Sequence, residues 1–206
     1  SDDLVALDSN SKVLNKGAFL KLLATGKYLP VRLSSQNEFV YRLYNIDKLN
    51  NKDISNTLIQ MANTEIENSN REGKPFNNFN FTDVNGTIYN SKNTKGKIIV
   101  FKFWFIHCQQ CVAEIPSLNN LVKQYKNRND VLFISVALDK NEELKKFLSK
   151  KQFNYAIVGN QDEFIKDKLK IEIYPTHMIV NKQGKITKVV NSFPELEIAL
   201  KKEIEL

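Results

Sequence analysis

The run Ile98-Ile99-Val100-Phe101-Lys102-Phe103-Trp104-Phe105-Ile106-His107-Cys108-Gln109-Gln110-Cys111-Val112-Ala113-Glu114-Ile115-Pro116 decides how the rest of the chain is read. Residues 97–104 are rich in β-branched and aromatic side chains and predict a strand. Residues 109–126 predict a helix, with Ile115, Leu118, Val122 and Tyr125 recurring on one face. Between the two stand Cys108 and Cys111, the 2 cysteines of the chain. Cysteines three residues apart across a first helical turn can bring their sulfurs within bonding distance. The partial positive charge and free N–H groups of a helix N-terminus favour a thiolate on the first sulfur. Cys108 is therefore the expected nucleophile, and Cys111, one turn in and more buried, the residue that resolves a mixed disulfide. A C-x-x-C pair at a strand-to-helix turn is the arrangement for thiol–disulfide exchange. A static disulfide and a metal site stand as alternatives. Structural zinc wants four ligands, and neither His107 nor His177 lies at finger-like spacing from the cysteines, so no metal site is expected.

Outward from this run the pattern stays regular. Phe79-Asn80-Phe81 alternates, Val84-Asn85-Gly86-Thr87 signals a hairpin turn, and Ile88-Tyr89 resumes the second arm. Residues 131–138 form a continuous apolar run, typical of a strand covered on both faces. Next come a helix over 142–150 with Asn141 as N-cap, a strand within 153–158, a short helix over 161–169, and strands at 176–181 and 185–190. A last helix opens at Ser192, with Glu195 completing a capping box. This order predicts an α/β fold, a mixed sheet flanked by helices.

Residues 1–74 do not continue the rhythm. They predict a helix near 16–24, a strand pair near 29–33 and 39–44, and a helix near 53–67, an appended α+β segment without a chemical motif. The polar stretch 68–74, followed by Pro75, places the domain boundary: 1–74 as the N-terminal segment, 75–206 as the second domain.

With 206 residues, 42% hydrophobic and 26% charged, the chain has an ordinary globular composition and the length to bury a core without staples. No apolar stretch approaches the roughly 20 residues that cross a bilayer. The row begins Ser1-Asp2-Asp3, compatible with a removed targeting segment. The net charge of +7 is carried mostly by residues 76–206, partly by Lys145, Lys146, Lys150 and Lys151. Those lysines share a helical pattern with Leu144, Phe147 and Leu148, which reads as a solvated helix face, and nucleic acid is not expected as a partner.

The central run resembles the active-site segment of the thioredoxin superfamily. More narrowly it is similar to TlpA/ResA-like thiol–disulfide oxidoreductases of the AhpC/TSA-related branch. Gly86-Thr87 with Lys95-Gly96-Lys97 resembles that branch's N-terminal hairpin and its entry to the central strand. Tyr174-Pro175-Thr176, followed by Ile179 to Lys185, resembles its cis-proline strand and turn. The resemblance spans roughly residues 75–206 and implies a thioredoxin-like fold. It implies that Pro175, with Tyr174 and Thr176, presents backbone to a bound substrate chain, that Trp104, Phe105 and His107 contribute to the site, and that Pro116 kinks the helix. Glu114, three residues after the second cysteine, matches an acid that assists proton transfer in ResA-like members.

The departures are Gln110 where most relatives carry proline, His107 where most carry tryptophan, and Lys102 where thioredoxin itself carries a buried acid. A protonated His107 beside Cys108 would favour the thiolate. His177, two residues after Pro175 on a strand, reads as a packed core histidine. The implied activity is disulfide exchange with a protein that presents a disulfide or thiols, more in the reducing than the oxidising direction. No cofactor is expected beyond the redox-active Cys108–Cys111 pair. The implied setting is extracytoplasmic, periplasm or cell envelope, with a membrane electron donor or acceptor upstream and an N-terminal anchor. Two other classes stay open. A copper carrier would use both cysteines and a histidine, since soft thiolates suit Cu(I). A peroxiredoxin-type peroxidase needs a Pro and a Thr shortly before its cysteine, and residues 103–107 supply neither.

Overall fold

The computed structural model describes residues 4–33 and 39–205, the side chains of Leu4 and Phe39 excepted. The Ser1-Asp2-Asp3 start, on which the reading of a removed leader rests, lies outside them. The chain divides into two compact units, Ser1–Asn70 and Arg71–Leu206.

The first unit contains β1 (Leu4–Leu7), β2 (Val13–Leu14), α1 (Lys16–Leu23), β3 (Tyr28–Leu33), β4 (Phe39–Asn45) and α2 (Lys52–Arg71). Its sheet runs β2-β1-β4-β3, with β1 parallel to β4. Ala6, Phe19, Leu20, Leu23, Leu43 and Ala62 form its core. The Asn15 side chain caps α1 by accepting from the Ala18 N–H at 2.8 Å. The sequence reading passes over β1 and β2, because strands of four and two residues are too short to display a period. It also takes 68–74 for a linker, whereas α2 continues through Arg71. Asn and Ser are only mildly unfavourable inside a helix and Arg is a good helix former, and the chain leaves the helical conformation at Gly73, where φ is +81°.

The second unit holds β5 (Asn80–Thr82), β6 (Ile88–Asn90), β7 (Ile98–Trp104), α3 (Gln109–Ala113), α4 (Ile115–Gln124), β8 (Val131–Ala137), α5 (Asn141–Leu148), β9 (Ala156–Val158), β10 (Thr176–Val180), β11 (Ile186–Val190) and α6 (Phe193–Glu205). The five-stranded sheet is ordered β11-β10-β7-β8-β9, with β7, β8 and β9 parallel and β10 and β11 antiparallel additions. It is the mixed sheet of a thioredoxin-like fold, with the extra α/β elements N-terminal to it.

Four details differ from the sequence reading. The β5–β6 hairpin is a separate two-stranded sheet. Its turn is held by Asp83 Oδ1, which accepts from the N–H groups of Asn85 and Thr87, and Val84 N–H donates to the Ile157 carbonyl within β9. The helix expected over 109–126 breaks into α3 and α4 at Glu114, with Pro116 in the first turn of α4, where a missing N–H costs nothing. Lys140 rather than Asn141 caps α5, because Glu143 lies three residues after Lys140 and accepts its backbone N–H at 3.0 Å. The segment 161–169 closes as a π-turn over Phe164–Lys168.

Every residue of β7 is buried, so its alternation sorts two cores rather than an inside and an outside. Ile98, Val100 and Trp104 join Cys111, Ile115, Leu118 and Leu121 of α3–α4, Leu144 of α5, and Leu196 and Leu200 of α6. Ile99, Phe101 and Phe103 face the other way, against Phe76, Phe79, Phe81 and Ile165. Lys102 has the parity of Val100 and Trp104, which puts a lysine on the face covered by the cysteine helix.

Candidate active site

Strand β7 delivers the chain to the site. After Trp104 the backbone turns through Phe105–His107 and enters α3 at Cys108, the N-cap residue (φ −75°, ψ 98°). Cys108 and Cys111 form a disulfide, with Cα atoms 5.2 Å apart. Cys108 Sγ accepts the Cys111 N–H at 3.2 Å. Cys111 is fully buried, while Cys108 keeps 9% of its surface accessible and its neighbours His107, Gln109 and Gln110 are exposed. The turn is pinned by Asp139, just after β8, whose Oδ2 accepts the Ile106 N–H at 2.8 Å. Burial pushes the Asp139 carboxyl up, opposed by that backbone bond.

The loop before β10 lies alongside. The Tyr174–Pro175 peptide is cis. The Tyr174 ring meets Phe105 edge-on at 5.4 Å between centroids. Its hydroxyl donates to the Ile171 carbonyl at 2.9 Å, and burial with nearby Asp162 and Glu172 pushes its pKa up to about 12. Thr176 Oγ1 donates to the Ile173 carbonyl at 2.7 Å, and Asn191 Nδ2 donates both to the Pro175 carbonyl (3.0 Å) and to Thr176 Oγ1 (2.7 Å). Ile173 is 46% exposed beside them, an apolar side chain at the rim.

Strand register assembles what lies beneath. Lys102 pairs with His177 on one side and Ser135 on the other, so three polar residues stand in a row across β10, β7 and β8. All three are fully buried. Ser135 Oγ accepts from Trp104 Nε1–H at 2.5 Å. Lys102 Nζ donates to Glu114 Oε1, and His177 Nε2 lies 2.9 Å from the same oxygen. Glu114 reaches down from the α3–α4 break with 11% of its side chain exposed. Burial alone would raise its carboxyl, but the His177 and Lys102 contacts outweigh that and hold it below the ordinary glutamate value. Burial lowers Lys102 and His177, each opposed by Glu114. The nearby Tyr155 hydroxyl, fully buried, is pushed well up by burial and by the Glu114 charge.

A model of the AhpC/TSA family matches residues 73–189, more than half of the chain. The chain belongs to that family. ResA, a thiol-disulfide oxidoreductase of Bacillus subtilis strain 168, is 28% identical over 120 residues, which cover 58% of this chain and 66% of the relative. ResA of Bacillus thuringiensis subsp. konkukian is 30% identical over 137 residues, covering 63% and 77%. Among solved structures, the pneumococcal exposed lipoprotein thioredoxin of Streptococcus pneumoniae TIGR4 superposes with a TM-score of 0.54 at 23% identity, over 62% of this chain and 98% of that one. The thioredoxin domain of a Bacteroides vulgatus thiol-disulfide oxidoreductase gives 0.57 at 24% identity, over 64% and 96%. These two likenesses establish the fold. A C-x-x-C disulfide set in this fold is equipped for thiol–disulfide exchange.

The AhpC/TSA site thus brings together Cys108, Cys111 and Glu114, and Phe105 carries the Cys108 turn to Tyr174, next to Pro175 and Thr176. Trp104 is fully buried against Phe147 and Phe153, a floor beneath the site, and Pro175 and Thr176 are buried as well, whereas His107 is exposed and Phe105 and Tyr174 are half-buried. The sequence reading passed over Asp139 and Asn191 and took His177 for a packed core histidine; it is fully buried, and its Glu114 neighbour was not foreseen. One signal was legible: a lysine inside a seven-residue run of otherwise apolar strand residues must be buried, and a buried ammonium needs a partner.

Proposed function

We propose that the protein reduces disulfides of a protein partner outside the cytoplasm. The observation that carries this reading is the Cys108–Cys111 disulfide at a strand-to-helix turn, with the first cysteine keeping a small exposed surface and the second fully buried. When the pair is reduced, the N–H of Cys111 that now points at Cys108 Sγ favours a thiolate there, since hydrogen bonds to the charged form lower a pKa. Cys108 attacks the partner's disulfide. The Tyr174-Pro175-Thr176 segment meets the partner's chain through the half-buried Tyr174, since Pro175 and Thr176 are themselves buried, His107 and Phe105 border it, and Cys111 releases it. The chemistry is assigned to residues 75–206, and no chemical role to 1–74.

The relatives support this reading: the ResA proteins are thiol-disulfide oxidoreductases, and the pneumococcal protein is an exposed lipoprotein. Among the described residues no helix is long and apolar enough to cross a membrane. In this reading the electrons arrive from a membrane donor. Two measurements test it. Cys108→Ser is expected to abolish turnover and Cys111→Ser to accumulate a covalent complex with the partner; turnover by Cys108→Ser would refute the mechanism. Glutathione titration of the couple is expected to give a potential near or below about −250 mV, and a value near about −120 mV would reverse the direction to disulfide formation.

A further inference from the structure

Resolution of a mixed disulfide needs Cys111 to lose a proton in a place without bulk water. Glu114 follows Cys111 by three residues, and i, i+3 positions share a helix face. Both side chains face the sheet: Cys111 sits in the core between helix and strands, and Glu114 meets Lys102 and His177. The carboxylate is therefore the first acceptor available, but it is already committed to a buried ammonium. The imidazole is not so committed. Its Nε2 lies 2.9 Å from Glu114 Oε1 without the alignment of a hydrogen bond, and its Nδ1 has no partner among the described residues. A fully buried polar ring with both nitrogens in that state calls for a reason.

We propose that Glu114 and His177 form one proton-holding unit for Cys111, in which the imidazole supplies the titrating capacity and Lys102 is a positioning residue that keeps the carboxylate turned onto the sheet. The proposal rests on the thiol–disulfide exchange reading. In the step itself, Cys111 Sγ–H gives its proton to the unit and the thiolate attacks Cys108 Sγ. The Cys108–partner S–S bond breaks, the Cys108–Cys111 bond forms, and the partner leaves as a thiolate that takes a proton from water. The two electrons of the dithiol pass to the partner. The groups that bear on His177 are Lys102 from β7, Glu114 from the helix break, and Glu195 from α6, whose carboxylate is engaged by the Ser192 hydroxyl. Tyr155 bears on it indirectly, through Glu114. On β11 the paired residue is Val190, which brings no charge.

Ellman's reagent separates the steps. The reduced protein releases a first thionitrobenzoate when Cys108 attacks and a second when Cys111 resolves, and stopped-flow absorbance follows both from pH 5 to 9. In His177→Asn the second phase is expected to slow about a hundredfold at pH 7, the lower end of general-base contributions, and to lose its acid limb, while the first phase is unchanged. Loss of packing alone would not move the pH profile of one phase. If His177→Asn does not fold, His177→Gln, which keeps more of the ring's volume, decides: the second phase should slow and lose its acid limb in the same way. A second phase that keeps its rate and pH limb in the folded variant overturns the proposal and leaves the exchange reading standing. A wild-type protein that never releases the second thionitrobenzoate refutes the exchange reading itself.

Discussion

At the residue scale the decisive side chain is Lys102. An ammonium buried completely is tolerated only with a partner, and its partner is the carboxylate three residues after the second cysteine. Removing one member of a buried pair leaves the other uncompensated, which is worse than removing both. Lys102→Met is therefore expected to cost about 3 kcal/mol at pH 7 in urea denaturation, and the double variant Lys102→Met/Glu114→Gln distinctly less. A cost for the single variant no larger than for the double would mean that the pair carries no specific interaction. The same reasoning explains why Trp104 belongs to the floor: its indole N–H is satisfied inside by Ser135, so nothing draws it to the surface.

At the element scale the site depends on how tightly strand ends meet helix starts. Gly159, just after β9, is the clearest case. A Cβ there would stand 2.5 Å from Asn141 Oδ1, 2.6 Å from Leu144 Cδ1 and 2.9 Å from the Asp139 carbonyl. Asp139 also holds the Ile106 N–H in front of Cys108, so strain at Gly159 is passed to the cysteine turn. Gly159→Ala is expected to destabilise the fold by about 1–3 kcal/mol in thermal or urea unfolding and to change the reactivity of Cys108 toward iodoacetamide. An unchanged midpoint would show that α5 moves away without cost. The elements themselves were mostly legible: the apolar runs of β7 and β8, the turn at Gly86 and the helical spacing after Cys111 all predict what forms. The misread boundaries share a cause. The break at Glu114 and the start of α5 at Lys140 depend on single side chains whose partners lie three residues away or on another strand, which periodicity does not register.

At the scale of the whole molecule, buried titratable groups tie stability to pH. His177 enters the fold neutral, its pKa lowered from 6.5 by burial. Below about pH 6.5 the unfolded chain takes up a proton that the folded chain does not, so stability falls as pH falls, by up to about 1.4 kcal/mol per pH unit for one proton. Glu114, lowered from 4.5, adds a second loss, because its contribution is present above that value and disappears as pH falls toward its folded pKa. Urea midpoints between pH 7 and 4 are expected to decline with a slope that steepens below 4.5, and His177→Asn should flatten the upper part of that window. An equally steep decline in the variant would place the effect elsewhere. By itself the sequence determined the family, the thioredoxin-like order of strands and helices, and the two sulfurs that react, because each of these is written in local spacing: a strand-forming run, a C-x-x-C, a helical stripe, a Tyr-Pro-Thr. Only the tertiary structure decided that Lys102, Glu114 and His177 are one cluster. They lie 12 and 63 positions apart along the chain, and what joins them is the register of β7 against β10 and a helix break above it, a pairing of distant backbone that no local pattern encodes.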